Sequence, residues 1–116
     1  MSKQLVKLRL NAATRQNYRC HYCNTVMCMD VGAIKDFAQS QKITTKQAKR
    51  LVCTAEHLIA RQDGGKDNQE NIVAACAFCN HTRHKRRQCA DAERFKADVI
   101  RRLQKHKWNS AMQATC

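Results

Sequence analysis

Residues 76–87 read CAFCNHTRHKRR. Two cysteines, an asparagine, two histidines and four lysine or arginine side chains crowd into barely more than three helical turns. Metal ligands of two kinds lie side by side here, soft thiols first and harder nitrogen and oxygen donors after them. The segment therefore decides two things at once: what braces the fold, and whether a second ion belongs to it.

The thiols find partners upstream. Cys20 and Cys23 form a second Cys-x-x-Cys pair, and four thiolates in tetrahedral array make a closed structural zinc site. The intervening stretch, residues 24–75, is longer than in ordinary zinc ribbons, so an insertion must fold back to let Cys20, Cys23, Cys76 and Cys79 share one ion. Cys28, Cys53, Cys89 and Cys116 lack such spacing and read as buried or incidental thiols. A site closed by four thiolates has no open position at which to activate water, so any catalysis must lie elsewhere.

Composition supports a metal brace. The chain has 116 residues, no proline and few aromatics (three Phe, two Tyr, one Trp), which gives only a modest core. Without a Pro/Gly-rich linker or internal repeat, residues 1–116 are expected to form a single domain. Lys plus Arg outnumber Asp plus Glu by 22 to 9, a formal net charge of +13, so the expected partner is a polyanion. Charge alone does not choose between DNA, RNA and an anionic membrane. The apolar runs are short and the opening MSKQLVKLRL lacks a signal peptide's apolar stretch, so an intracellular (cytoplasmic) protein is expected, where cysteines serve as metal ligands more often than as disulfides.

Along the chain, Val6, Leu8 and Leu10 alternate with charged residues and predict a short strand, with Asn11 as cap of a helix through NAATRQNY. From 29 to 51 the pattern predicts a helical insertion in two pieces, AIKDFAQSQ and TTKQAKRLV, with Thr44 and Gln47 at capping-box spacing. It should pack through Ile34, Phe37, Ile43 and Leu51. VCTAEHLIA and ENIVAAC read as two strands around a turn at Asp63-Gly64-Gly65. A helix is expected after Cys79 and another over about 90–108, where Phe95, Val99 and Leu103 make an apolar stripe. Residues after Trp108 should fray. The fold class is α+β.

Glu56-His57 on the first strand, Gly64-Gly65 in the turn, Asn71 before the second strand and Asn80 directly after Cys79 fall in a telling order. With the two Cys-x-x-Cys pairs, this order resembles the HNH endonuclease family in its four-cysteine, zinc-braced version. The resemblance spans Cys20 to about Arg87, less the insertion. It implies a small ββα-metal core, treble-clef-like, over about residues 20–87, with the helical insertion and C-terminal helix added to it.

It also implies roles. His57 is similar to the general base that activates the attacking water, and Glu56 to the acidic metal ligand, although aspartate or histidine is more usual there. Asn71 matches the middle residue that ties the loop and keeps the histidine oriented, and Asn80 a second ligand through its amide oxygen. Carboxylate, amide oxygen and waters form a hard site suited to Mg²⁺ or Mn²⁺. His84 lies one turn beyond Asn80 on the same helix face and reads as a further ligand, a phosphate contact or a solvent-facing side chain. Arg83 matches a basic position near the scissile phosphate, and Lys85, Arg86 and Arg87 would add phosphate-backbone contacts.

The expected activity is metal-dependent DNA endonuclease, nicking or cutting both strands, the latter needing a second copy or a second encounter; sequence preference would come from a partner or be weak. The competing reading is a non-catalytic zinc-braced module that binds nucleic acid by charge, which would not need His57 and Asn80 together. An RNA-directed protein is disfavoured by the shortage of aromatics for stacking unpaired bases.

Overall fold

The structure is a computed structural model and describes residues 2–85 and 89–108. Its first element is a helix, α1 (Lys3–Arg15), where the alternation at Val6, Leu8 and Leu10 predicted a strand. The period that wins is 3.6: Leu5, Leu8 with Arg9, and Ala12 with Ala13 turn inward, whereas Leu10 is exposed. Ser2 caps the helix by accepting from the Leu5 N–H, and Asn11 sits exposed inside it instead of capping a later one. After α1, the Gln16 side-chain amide lies against the second strand as a surrogate neighbour. It donates to the Ala74 carbonyl (2.8 Å) and accepts from the Ala74 N–H (2.9 Å).

The chain next folds the knuckle Cys20–Cys23, closed by Asn24 N–H to Cys20 O and Cys20 N–H to Thr25 O. The insertion follows as α2 (Ile34–Gln41) and α3 (Thr45–Arg50), with a short 3₁₀ turn ahead of α2. The capping box at α3 is formed in full: Gln47 N–H donates to Thr44 Oγ1, and Thr44 N–H to Gln47 Oε1. Leu51 is buried, and Phe37 and Ile43 pack partly buried against the core. The excursion leaves and returns at one place, because Cys28 and Val52 are bridged in parallel, with Cys28 N–H bonded to Leu51 O and Cys53 N–H to Cys28 O. Two further helices can thus be carried without moving the ends of the surrounding core.

Strands β1 (Cys53–His57) and β2 (Ile72–Cys76) pair antiparallel, with Cys53 opposite Cys76 and His57 opposite Ile72. Helix α4 (Ala77–Arg83) starts directly from β2, three residues earlier than expected, because Cys76 is its N-cap and its sulfur accepts from the Cys79 N–H. A knuckle, a hairpin and a helix around one sulfur cluster make a small α+β core of the ββα type. Last comes α5 (Ala92–Gln104), capped by Asp91; it buries Phe95 and Val99, with Leu103 partly covered. Phe95 packs edge-on to Tyr22 of the knuckle, 4.9 Å between ring centres, and Trp108 beyond α5 packs on Phe78 and Phe95. The expectation of fraying falls on residues after Trp108, which lie outside the described residues, as does Cys116.

Candidate metal centre and active site

Two sites flank the start of α4. The first is the sulfur cluster: Cys20, Cys23, Cys76 and Cys79 are all buried, and their four Sγ atoms lie within 4.8 Å of one another. Cys23 and Cys76 sulfurs are 3.9 Å apart, against about 3.8 Å for tetrahedral ligands on zinc at about 2.3 Å. Contact with Cys20 and Cys23, and then burial, hold the Cys76 and Cys79 thiols well above the usual range, so all four ionise together only around a cation. The donor set fits a structural ion such as zinc. N–H groups from Tyr22 and Cys76 point at Cys20 Sγ, and the Trp108 indole donates to Cys79 Sγ at 3.3 Å. Cys28 and Cys53 are buried as expected of small apolar fillers, and burial pushes the Cys53 thiol up to about 11.

The second site is a pocket of about 280 Å³ on the other side of the hairpin, lined by Glu56, His57, Arg61, Asn80 and His84 among others. Residues 56 and 57 come from the end of β1 and residues 80 and 84 from successive turns of α4. The sequence set is thus assembled in one place. Asn80 anchors its amide nitrogen to Thr54 Oγ1 (3.0 Å) and Ala55 O (3.3 Å), which commits the nitrogen and leaves the oxygen as the donor atom for a cation. Glu56 is only 1% exposed. Its Oε2 accepts from Tyr22 O–H (2.9 Å) and Arg83 Nη1 (3.1 Å), while Oε1 meets His84 Nε2 at 2.9 Å. That separation matches two neighbouring ligands of an octahedral ion, which stand about 3 Å apart when each is about 2.1 Å from the metal. Oε1 of Glu56 and Nε2 of His84 thus stand at a separation that a divalent cation could bridge, and Asn80 lines the same pocket.

Asn71 ties the loop as the sequence predicted. Its Oδ1 accepts from Ile59 N–H at 2.7 Å, and its Nδ2 donates to Ile59 O and Lys66 O at 3.1 and 3.0 Å. The glycine pair has two different reasons. Gly64 takes φ +90°, while a Cβ on Gly65 would overlap the Ile59 carbonyl. Together they hold the 58–71 loop against the end of β1, where His57 sits.

Arg83 is the residue whose expected role the structure overturns. It is 4% exposed, and its guanidinium is committed inside the protein to Glu56 Oε2, Tyr22 Oη and the carbonyls of His57, Leu58 and Ala90. A side chain so engaged cannot reach a phosphate on the surface; it neutralises the buried Glu56 instead. Lys85 is exposed beyond α4, and Arg86 and Arg87 lie outside the described residues.

Three contributors escaped the sequence reading. Tyr22, inside the first Cys-x-x-Cys, donates to Glu56; burial, and then that carboxylate, push its phenol up and keep it a donor. Asp67 meets His57 Nε2 at 2.7 Å, and Arg61, largely exposed at the pocket wall, pairs with Asp67 Oδ2 at 3.1 Å. The hydrogen bond from His57, and then the charge of Arg61, hold the Asp67 carboxyl below its usual range. The signal for Asp67 was an acidic residue in the turn that must lie beneath the strand end carrying His57.

Comparison with known protein families bears on this part of the chain. Residues 45–86 match the family model of the HNH endonucleases. The HNH segment begins at α3 and includes the hairpin and α4, so Glu56, His57, Asn71 and Asn80 lie within it. Cys20 and Cys23 lie before the matched residues, and the fold brings them to the HNH segment's own Cys76 and Cys79. Searches of curated proteins and of solved structures gave no match. The HNH match carries nuclease chemistry on a nucleic-acid substrate as its coarse meaning. Among the described residues, no helix is long and apolar enough to cross a membrane.

Proposed function

We propose that the protein is a divalent-metal-dependent DNA endonuclease with the pocket between β1 and α4 as its active site. The observation that carries this reading is the convergence of Glu56, His57, Asn80 and His84 on one pocket within an HNH segment. Hydrolysis of a phosphodiester needs a deprotonated water, stabilisation of charge on phosphorus, and relief of charge on the leaving oxygen. A bound Mg²⁺ or Mn²⁺ would supply the second and third.

The chain's own residues do the rest. His57, at the end of β1 and held by the Asn71-tied loop, takes the proton of the attacking water. Its imidazole suits this because a neutral ring has one nitrogen with a free lone pair to accept a proton while the other donates. Glu56, Asn80 and His84 hold the cation. Arg61 at the pocket wall, and Lys85 with the basic run after it, meet the phosphate backbone, in keeping with the net charge of +13. One pocket per chain nicks one strand per encounter, so two chains or two encounters make a double-strand break.

The test is nicking of supercoiled plasmid by the wild type and by His57→Ala, each with Mg²⁺, Mn²⁺ or EDTA. We expect nicking with at least one of the two ions, none in EDTA, and a loss of roughly 10²- to 10⁴-fold in the alanine variant. An intact plasmid under every condition, or an alanine variant as fast as wild type, refutes the proposal. The first of these outcomes, with DNA still retained in a gel-shift assay, would favour the non-catalytic binding module.

A further inference from the structure

His57 uses its Nε2 to meet Asp67 Oδ1 at 2.7 Å. A carboxylate is a pure acceptor, so at this distance the proton sits on Nε2. Arg61 Nε also lies 3.2 Å from the same nitrogen, but one ring nitrogen cannot both donate to Asp67 and accept from Arg61. The shorter contact, to a full negative charge, fixes the proton; Arg61 is then held by its own pairing with Asp67, through Nη2 at 3.1 and 3.4 Å from the two oxygens. In neutral His57 the lone pair is thereby confined to Nδ1.

From this geometry we infer that Asp67 is a positioning residue for the hydrolytic reaction: it fixes the Nε2–H tautomer of His57 and makes Nδ1 the atom that receives the proton from water. The inference rests on the reading of His57 as general base. Asp67 touches neither water nor phosphate in this role; it acts through the ring, holding its orientation and stabilising the imidazolium once Nδ1 is protonated. Its own place is set by the glycine turn before it and by Gln4 of α1, whose side-chain amide donates to the Asp67 carbonyl at 3.3 Å. Arg61, bound to the other carboxylate oxygen, is positioned at the pocket wall by the same residue.

The experiment has two readouts on the full-length, zinc-loaded chain. Long-range ¹⁵N–¹H correlation spectra report the tautomer of His57, assigned by its disappearance in His57→Ala, and need no activity. Plasmid nicking gives kcat and KM. In wild type we expect Nε2–H; in Asp67→Ala a mixture of tautomers, with kcat lower by roughly 10- to 100-fold and KM nearly unchanged. Asp67→Asn, of the same shape but uncharged, should likewise lose kcat, which separates the charge from packing. A wild type in the Nδ1–H form, a tautomer indifferent to Asp67→Ala, or an unchanged kcat in both variants overturns the inference. If His57→Ala retains full activity while the tautomer follows Asp67, the general-base reading fails and the pairing of the two residues stands; catalytic positioning then falls with it.

Discussion

Replacing Cys79 by serine is expected to abolish the cooperative unfolding transition at ambient temperature. The core explains the size of the effect: apart from Leu5, Tyr22, Met27, Leu51, Ile72, Phe95 and Val99, it is built of alanines and cysteines, among them Ala12, Ala13, Ala74, Ala75 and the four clustered thiols. So little bulky apolar surface leaves the link between knuckle, hairpin and α4 to the ion. Structural zinc contributes about 10–16 kcal/mol of apparent binding energy in small zinc-folded units, as much as or more than the roughly 5–15 kcal/mol net stability of a typical domain. Serine nearly keeps the volume of Cys79 but removes a soft thiolate, and it replaces the sulfur that accepts from the Trp108 indole by a harder oxygen. The single tryptophan makes the outcome easy to read. Its fluorescence should already resemble that of the denatured chain before denaturant is added, and metal analysis should find well under one zinc per chain. A sharp thermal transition at the wild-type temperature would show that the sulfur cluster is dispensable.

The second large effect is expected from Arg83→Met. Arg83 and Glu56 face each other with both side chains 2% exposed, and removal of one partner leaves a buried charge without compensation, a cost of about 3–5 kcal/mol. Methionine also withdraws the donors from the His57, Leu58 and Ala90 carbonyls, so the loop after β1 and the start of α5 lose their common tie. Urea unfolding should show the midpoint falling accordingly, and Glu56→Gln in the same chain should recover part of the loss, since an uncharged amide no longer needs the cation. Salt dependence of DNA binding separates this from a phosphate-contacting role. A side chain neutralising a phosphate lowers the slope of log K against log salt by about 1 on removal, whereas Arg83→Met should leave the slope of the folded protein unchanged.

The case of Arg83 marks where sequence reasoning stops. A basic residue within HTRHKRR looks like every other member of a cationic run, and only the fold reveals that its helix position points inward at Glu56. Tyr22 and Asp67 were hidden for the same reason, since their partners are 34 and 10 residues away and no local pattern announces them. What was legible had short-range causes. The Cys-x-x-Cys pairs, the Thr44–Gln47 capping box, the two strands around Gly64-Gly65 and the loop-tying Asn71 each follow from a spacing that only a few geometries satisfy. The first helix was misread because Val6, Leu8 and Leu10 satisfy a period of two, while the inward face at Leu5, Ala12 and Ala13 relies on alanines, whose hydrophobic signal is weak.

Under the proposed function, labour divides at the start of α4: Cys76 and Cys79 hold an ion that braces the scaffold, while Asn80 and His84, with Glu56, hold an exchangeable one that serves His57. The most direct measurement is brief EDTA treatment of the purified protein, then gel filtration, metal analysis and plasmid nicking before and after re-addition of Mn²⁺ or Mg²⁺. One zinc per chain should be retained and nicking lost, with nicking restored by added Mn²⁺ or Mg²⁺ and no change in zinc content. Nicking that persists undiminished after EDTA, or that returns only with zinc refilling an emptied sulfur cluster, would contradict this division of labour.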